Sequence, residues 1–123
     1  MKTKFLLKAC LLFILLTGCG KDGGIAGLFI PNFSNAWTSS RNTRFEFIPN
    51  ATDVSKGTFF GSEESDFNEF TGTFNNYDIE FTITKGNEVG EHYSGKFIKD
   101  SNPLSMKVKG DRNKTELTIT KQQ

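Results

Sequence analysis

Between Tyr77 and Thr84 the chain alternates without a break, Tyr77, Ile79, Phe81 and Ile83 falling on one side and Asp78, Glu80, Thr82 and Thr84 on the other. A period of two is the spacing of a strand with one face buried and the other wet. A helix, with its period of 3.6, would scatter these residues around its whole circumference.

The same period recurs along the chain. Asn35 to Ser39 reads as a weak first strand, and Thr43 to Ile48 sets Phe45 and Phe47 against Arg44 and Glu46. Gly57 to Gly61 is short, and Asn68 to Phe74 places Phe70, Gly72 and Phe74 opposite Thr71 and Thr73. His92 to Ile98 sets Tyr93, Gly95 and Phe97 against His92, Ser94 and Lys96. Leu104 to Lys109 opposes Leu104, Met106 and Val108 to Ser105, Lys107 and Lys109, and Thr115 to Lys121 turns Leu117 and Ile119 inward. Asn75-Asn76 supplies a tight turn because asparagine tolerates positive φ. Asp100-Ser101-Asn102-Pro103 supplies another.

Eight short strands joined mostly by short turns predict an all-β fold, an antiparallel meander closed into an eight-stranded β-barrel. Closure removes the exposed edges that make open sheets sticky. A two-sheet β-sandwich is the alternative that the same alternation permits. The interior of an eight-stranded barrel is just wide enough to be filled by side chains or to hold one small ligand.

Trp37, Phe45, Phe47, Phe59, Phe70, Phe74, Phe81, Phe97 and both tyrosines belong to the expected inner set. Each aromatic buries about 150 to 250 Å², so this set predicts a packed interior. Gly72 and Gly95 could open space within it, although glycine in a strand more commonly allows a bulge or sharp coiling.

The early Trp37, the phenylalanine-rich second strand, and the segments Phe70-Thr71-Gly72-Thr73-Phe74 and Tyr93-Ser94-Gly95-Lys96-Phe97 resemble the lipocalin-like and avidin-like meander barrels, the calycin group. The resemblance covers roughly residues 35 to 121. It implies the barrel fold and, as candidates for lining an internal site, Trp37, Gly72, Tyr93 and Gly95. Two departures narrow what carries over. Asn35 stands where those families place a glycine before the tryptophan, and Trp37 is the single tryptophan where avidin-like sites use several. The fold is carried over and biotin binding is not.

The N-terminus has its own signature. Lys2, Lys4 and Lys8 precede an apolar core from Ala9 to Leu16, the layout of a secretory signal. That core is too short for a bilayer span, which needs about 20 apolar residues. Leu16-Thr17-Gly18-Cys19 then resembles the lipobox of bacterial lipoproteins. The resemblance implies removal of residues 1-18 and a diacylglyceryl thioether on Cys19, which becomes the lipidated N-terminus and ties the chain to a membrane. Cys10 leaves with the leader, so no disulfide is expected. Residues 19-34 then form a lipidated, glycine-rich tether and 35-123 the barrel domain. The last part of the tether, Leu28-Phe29-Ile30-Pro31, is too apolar for a free linker and is expected to fold back over one end of the domain. An aspartate after the lipidated cysteine resembles an inner-membrane retention signal in double-membrane bacteria; Gly20 is not that signal, so outer-membrane residence is expected.

Function is constrained mainly by exclusion. The leader holds three of the 15 basic residues, leaving 12 against 14 acidic ones, a formal charge of −2. Nucleic-acid binders carry a basic excess. The only histidine, His92, falls on the wet face, and the one mature thiol is committed to lipid, so neither a nucleophile beside a base nor a zinc site is expected. No cofactor is implied. Glu63, Glu64, Asp66 and Glu69 read as a solvated loop, since their spacing does not match a calcium loop. Asn32-Phe33-Ser34, Asn50-Ala51-Thr52 and Asn113-Lys114-Thr115 match the glycosylation pattern but read here as turn chemistry. The expectation is a non-catalytic envelope module that binds a small apolar ligand or a protein partner, with a structural subunit of an envelope assembly as the alternative. Pro49 to Lys56 and Ser62 to Asp66 are the expected contact loops.

Overall fold

A computed structural model describes residues 28–64 and 67–123. Within them the chain is all-β: β1 (Trp37–Ser39), β2 (Arg44–Pro49), β3 (Lys56–Glu63), β4 (Asn68–Asn75), β5 (Asp78–Gly86), β6 (His92–Phe97), β7 (Ser105–Gly110) and β8 (Glu116–Lys121). Each strand pairs antiparallel with its sequence neighbours, and β1 closes on β8 through Trp37 opposite Lys121 and Ser39 opposite Ile119. The meander is therefore a closed barrel, and the sandwich alternative is set aside.

Alternation decides the inner face. Phe59, Gly72, Phe81 and Tyr93 lie opposite one another on β3 to β6, and the next row outward is Phe60, Thr71, Thr82 and His92. Phe45, Phe70 and Phe81 meet at the centre, with Phe70 and Phe81 ring centroids 4.6 Å apart. The register shifts once, between Glu69 and Phe70, leaving Thr84 unpaired on β5. Thr84 uses the bulge to bond the Glu69 carbonyl through its hydroxyl at 3.2 Å.

The two ends of the barrel differ. One carries the segment before β1, the β2–β3 and β6–β7 loops, the Asn75-Asn76 turn and the C-terminus. There the strap of residues 28–36 folds back as its apolar composition demands, but the residues that seat it are Phe29 and Phe33. Phe33 is buried among Trp37, Phe47, Phe59, Phe74 and Phe97 and corks the barrel. Phe29 stacks on Tyr77 at 4.3 Å and bonds Asn76 Oδ1 through its N–H. Lys121 Nζ clasps the strap from β8, donating to the Asn32 carbonyl at 2.8 Å and to Ser34 Oγ at 3.0 Å. Packing against the barrel thus begins at Phe29.

Tyr77 is a correction to the expected inner set, because it precedes β5 and lies half-buried at the rim under Phe29. Asn76 takes the positive φ its turn requires, 56°. Asn32 and Asn113 each accept an N–H from two residues on, at 2.9 Å, which is the turn chemistry expected of them.

Candidate functional site

Trp37 and Tyr93 are fully buried, and both belong to the packed core. The Trp37 indole N–H reaches the Phe33 carbonyl at 3.4 Å, tying the cork to β1. Gly72 and Gly95 have no room for a side chain of their own. A Cβ on Gly72 would stand 2.2 Å from the Glu80 carbonyl oxygen and 2.6 Å from the Phe59 ring; on Gly95 it would stand 1.9 Å from the Lys107 carbonyl oxygen. Both glycines let neighbouring backbone approach as closely as a tightly coiled sheet requires. Trp37 and Tyr93 thus lie in the packed core, whereas Gly72 and Gly95, although in register with inner residues, also line open grooves on the outer wall. Cys19, the lipidation candidate, lies outside the described residues.

The end opposite the cork is closed by charge. Arg41, between β1 and β2, is placed by a turn in which Asn42 adopts φ of 65°. It grips Glu63 with two parallel bonds of 2.9 and 2.7 Å, and Glu88 with two more of 3.3 and 3.0 Å. Asn68 Nδ2 bridges the two carboxylates at 3.0 Å to each. The Tyr93 hydroxyl donates to Glu88, and Asn113 Nδ2 reaches Glu88 at 2.9 Å. Alongside, Glu91 accepts the backbone N–H groups of Arg112 and Asn113 at 2.8 and 3.1 Å. One network therefore joins all four connections at this end of the barrel. Among the described residues no buried side-chain polar atom lacks a partner.

Glu63 corrects the expectation that its acidic run is a solvated loop: its carboxylate is wholly removed from water. Continuing the β3 alternation from Phe59 through Gly61 puts Glu63 on the inner face, and that continuation was the available signal. Nothing local marks Arg41 as its partner. Burial would push the Glu88 carboxyl up, but bonds from Arg41, Tyr93 and Asn68 outweigh it and hold the group below the usual carboxylate range. Burial likewise works against the charge of Arg41, and Glu63 and Glu88 raise its pKa above the ordinary value. Glu91 is lowered as well, burial being outweighed by the Arg112 and Asn113 bonds. For Tyr93, burial dominates and pushes the phenol up. Carboxylates that each accept several donors from different turns are suited to holding those turns together. Among the described residues no group of three or more His, Cys, Asp and Glu is placed to hold a metal ion.

The largest concavity is on the outer wall, a groove of about 560 Å³ across β3 to β6. Phe60, Thr71, Gly72, Thr73 and Thr82 line it, and His92 borders it, held by Glu80 at 2.8 Å and by Thr82 at 2.9 Å. His92 points outward, as its place in the alternation requires. Phe60 is half-exposed here, and its strand partner Ile48 is equally so. Of the expected contact loops, Pro49 to Lys56 runs at the corked end and reaches the groove through Asn50, and the described part of the other, residues 62–64, lies at the opposite end. No protein-family model, curated protein or solved structure matches this chain.

Proposed function

We propose that this chain is a membrane-anchored lipoprotein of the cell envelope, resident in the outer membrane where the host has two, that acts as a non-catalytic binding module on the outside of a filled barrel. One observation carries the reading: cork, aromatic core and charged clasp occupy the inside from end to end, which leaves recognition to the outer surface. The leader and Leu16-Thr17-Gly18-Cys19 support the anchoring half. The wall around Ile48 and Phe60 supports a protein partner over a small apolar ligand, since a half-exposed aromatic beside an aliphatic is a contact surface rather than an enclosure.

A photo-crosslinking residue at Phe60 in the native envelope is expected to give one discrete adduct that Ile48→Glu removes. Native mass spectrometry of protein purified from its host is expected to show the acylated chain without a retained small molecule. A stoichiometric small-molecule adduct would transfer the binding role to the interior. The filled interior also favours a second reading, an accessory subunit whose rigid barrel is a spacer. Loss of a larger complex in Cys19→Ala without any adduct at Phe60 would select it.

A further inference from the structure

We propose that the corked end of the barrel is a lipid-seating surface, lying on the bilayer in which Cys19 is anchored; the proposal rests on the lipoprotein reading above. Leu28 and Ile30, 53% and 50% exposed, flank Phe29 on the strap, and Ile98, 39% exposed, follows β6 at the same end. Their positions are held firmly. Phe29 is pinned between Tyr77 and Phe97, and the Phe97 N–H bonds the Tyr77 carbonyl at 2.7 Å. Three aliphatic side chains are thereby presented to the surroundings from a braced rim. Next to them a groove of about 400 Å³ opens between the strap and the β2–β3 loop, lined by Ile30, Pro31, Pro49, Ala51 and Val54 among others.

What covers this end follows from where the chain leads. Cys19 precedes Leu28 by nine residues, and nine residues cannot span more than about 30 Å in any conformation. An acylated Cys19 therefore keeps this end within about 30 Å of the lipid headgroups, nearer than any other part of the barrel need be. The opposite end is less suited: its exposed Val89 stands alone among exposed Glu64, Arg112 and Lys114 around the charged clasp. Exposed Lys56 and Lys99 at the corked end are offset by Asp53 and Asp100. Seating is thus apolar, as for other interfacial anchors, and insensitive to salt.

The test uses the mature, acylated protein in phosphatidylcholine vesicles. Acylation leaves Cys19 without a free thiol, so a cysteine placed at Ile98 or Ile30, or at Val89 on the opposite end, takes an environment-sensitive fluorophore alone. Probes at 30 and 98 are expected to shift to the blue and to be quenched several-fold more than the probe at 89 by spin-labelled lipid, equally in low and high salt. Substituting Leu28→Ser with Ile30→Ser should abolish the quenching at 98 while the melting curve stays in place. If the protein floats with the vesicles but all three probes report water, seating is overturned and the anchor stands. Stronger quenching at 89 overturns the orientation. Failure of the wild type to float, like Cys19→Ala, overturns the anchor and the seating together.

Discussion

The guanidinium of Arg41 faces the carboxylate of Glu63 in a two-pronged pair, 2.9 and 2.7 Å, in which the acid is completely shielded from water and the base retains a quarter of its exposure. Removing one partner of such a pair leaves an uncompensated buried charge, at a cost of about 3 to 5 kcal/mol. Arg41→Ala is therefore expected to lower the urea midpoint sharply. Adding Glu63→Leu to the Arg41 variant should recover much of the loss, because the charge that needed a partner is gone. A double variant no more stable than Arg41→Ala would show that the clasp does not centre on this pair.

Acid should loosen the same end. The folded state holds Glu88 and Glu91 below the ordinary carboxylate range, so it binds their protons more weakly than the unfolded chain does. Their contribution is complete above the unfolded value, about 4.3, and is lost as pH falls through the depressed folded values. Urea midpoints should be flat from neutrality to about pH 5 and then decline. Glu88→Gln should lower the plateau and flatten the decline. An unchanged acid limb in that variant would remove Glu88 from the account.

Phe81 and its neighbour Thr82 test the register. Phe81 is buried at the barrel centre, whereas the Thr82 side chain faces the wall groove. Phe81→Ala is expected to cost about 3 to 5 kcal/mol and Thr82→Ala within about 1 kcal/mol. Denaturant melts in the opposite order would place the inner face one residue out.

Phe33→Ala should separate a cork from a decorative strap. With five aromatic neighbours, its truncation should cost on the order of 3 kcal/mol or more and open an apolar cavity. Fluorescence of an added apolar dye, absent with wild type, is the measurement. Dye binding by the wild type itself would mean that the interior is open.

Gly95→Ala distinguishes close approach from spare room. With the Lys107 carbonyl oxygen 1.9 Å from the new Cβ, β6 and β7 must move apart, and yield of folded protein should fall far more than for Ser94→Ala. A tolerated Gly95→Ala would restore the glycine as a source of pocket volume.

Much of the barrel is legible in the chain. Alternation from Trp37 to Ile119 yields eight strands and a meander, because a side chain's face depends only on its parity within its own strand. Asn76 marks its turn for an equally local reason. The closed end was not legible. Glu63 looks like one more surface acid until Arg41, 22 residues away, and Glu88, 47 residues beyond that arginine, are brought to the same point. Gly72 and Gly95 look like gaps until the neighbouring backbone is in place. The strands, their order and most of their inner faces follow from near neighbours along the chain and can be read from it directly. That Phe33 corks one end and that Arg41 and Glu63 close the other emerges only in the folded chain, because each depends on the distance between segments far apart in the sequence.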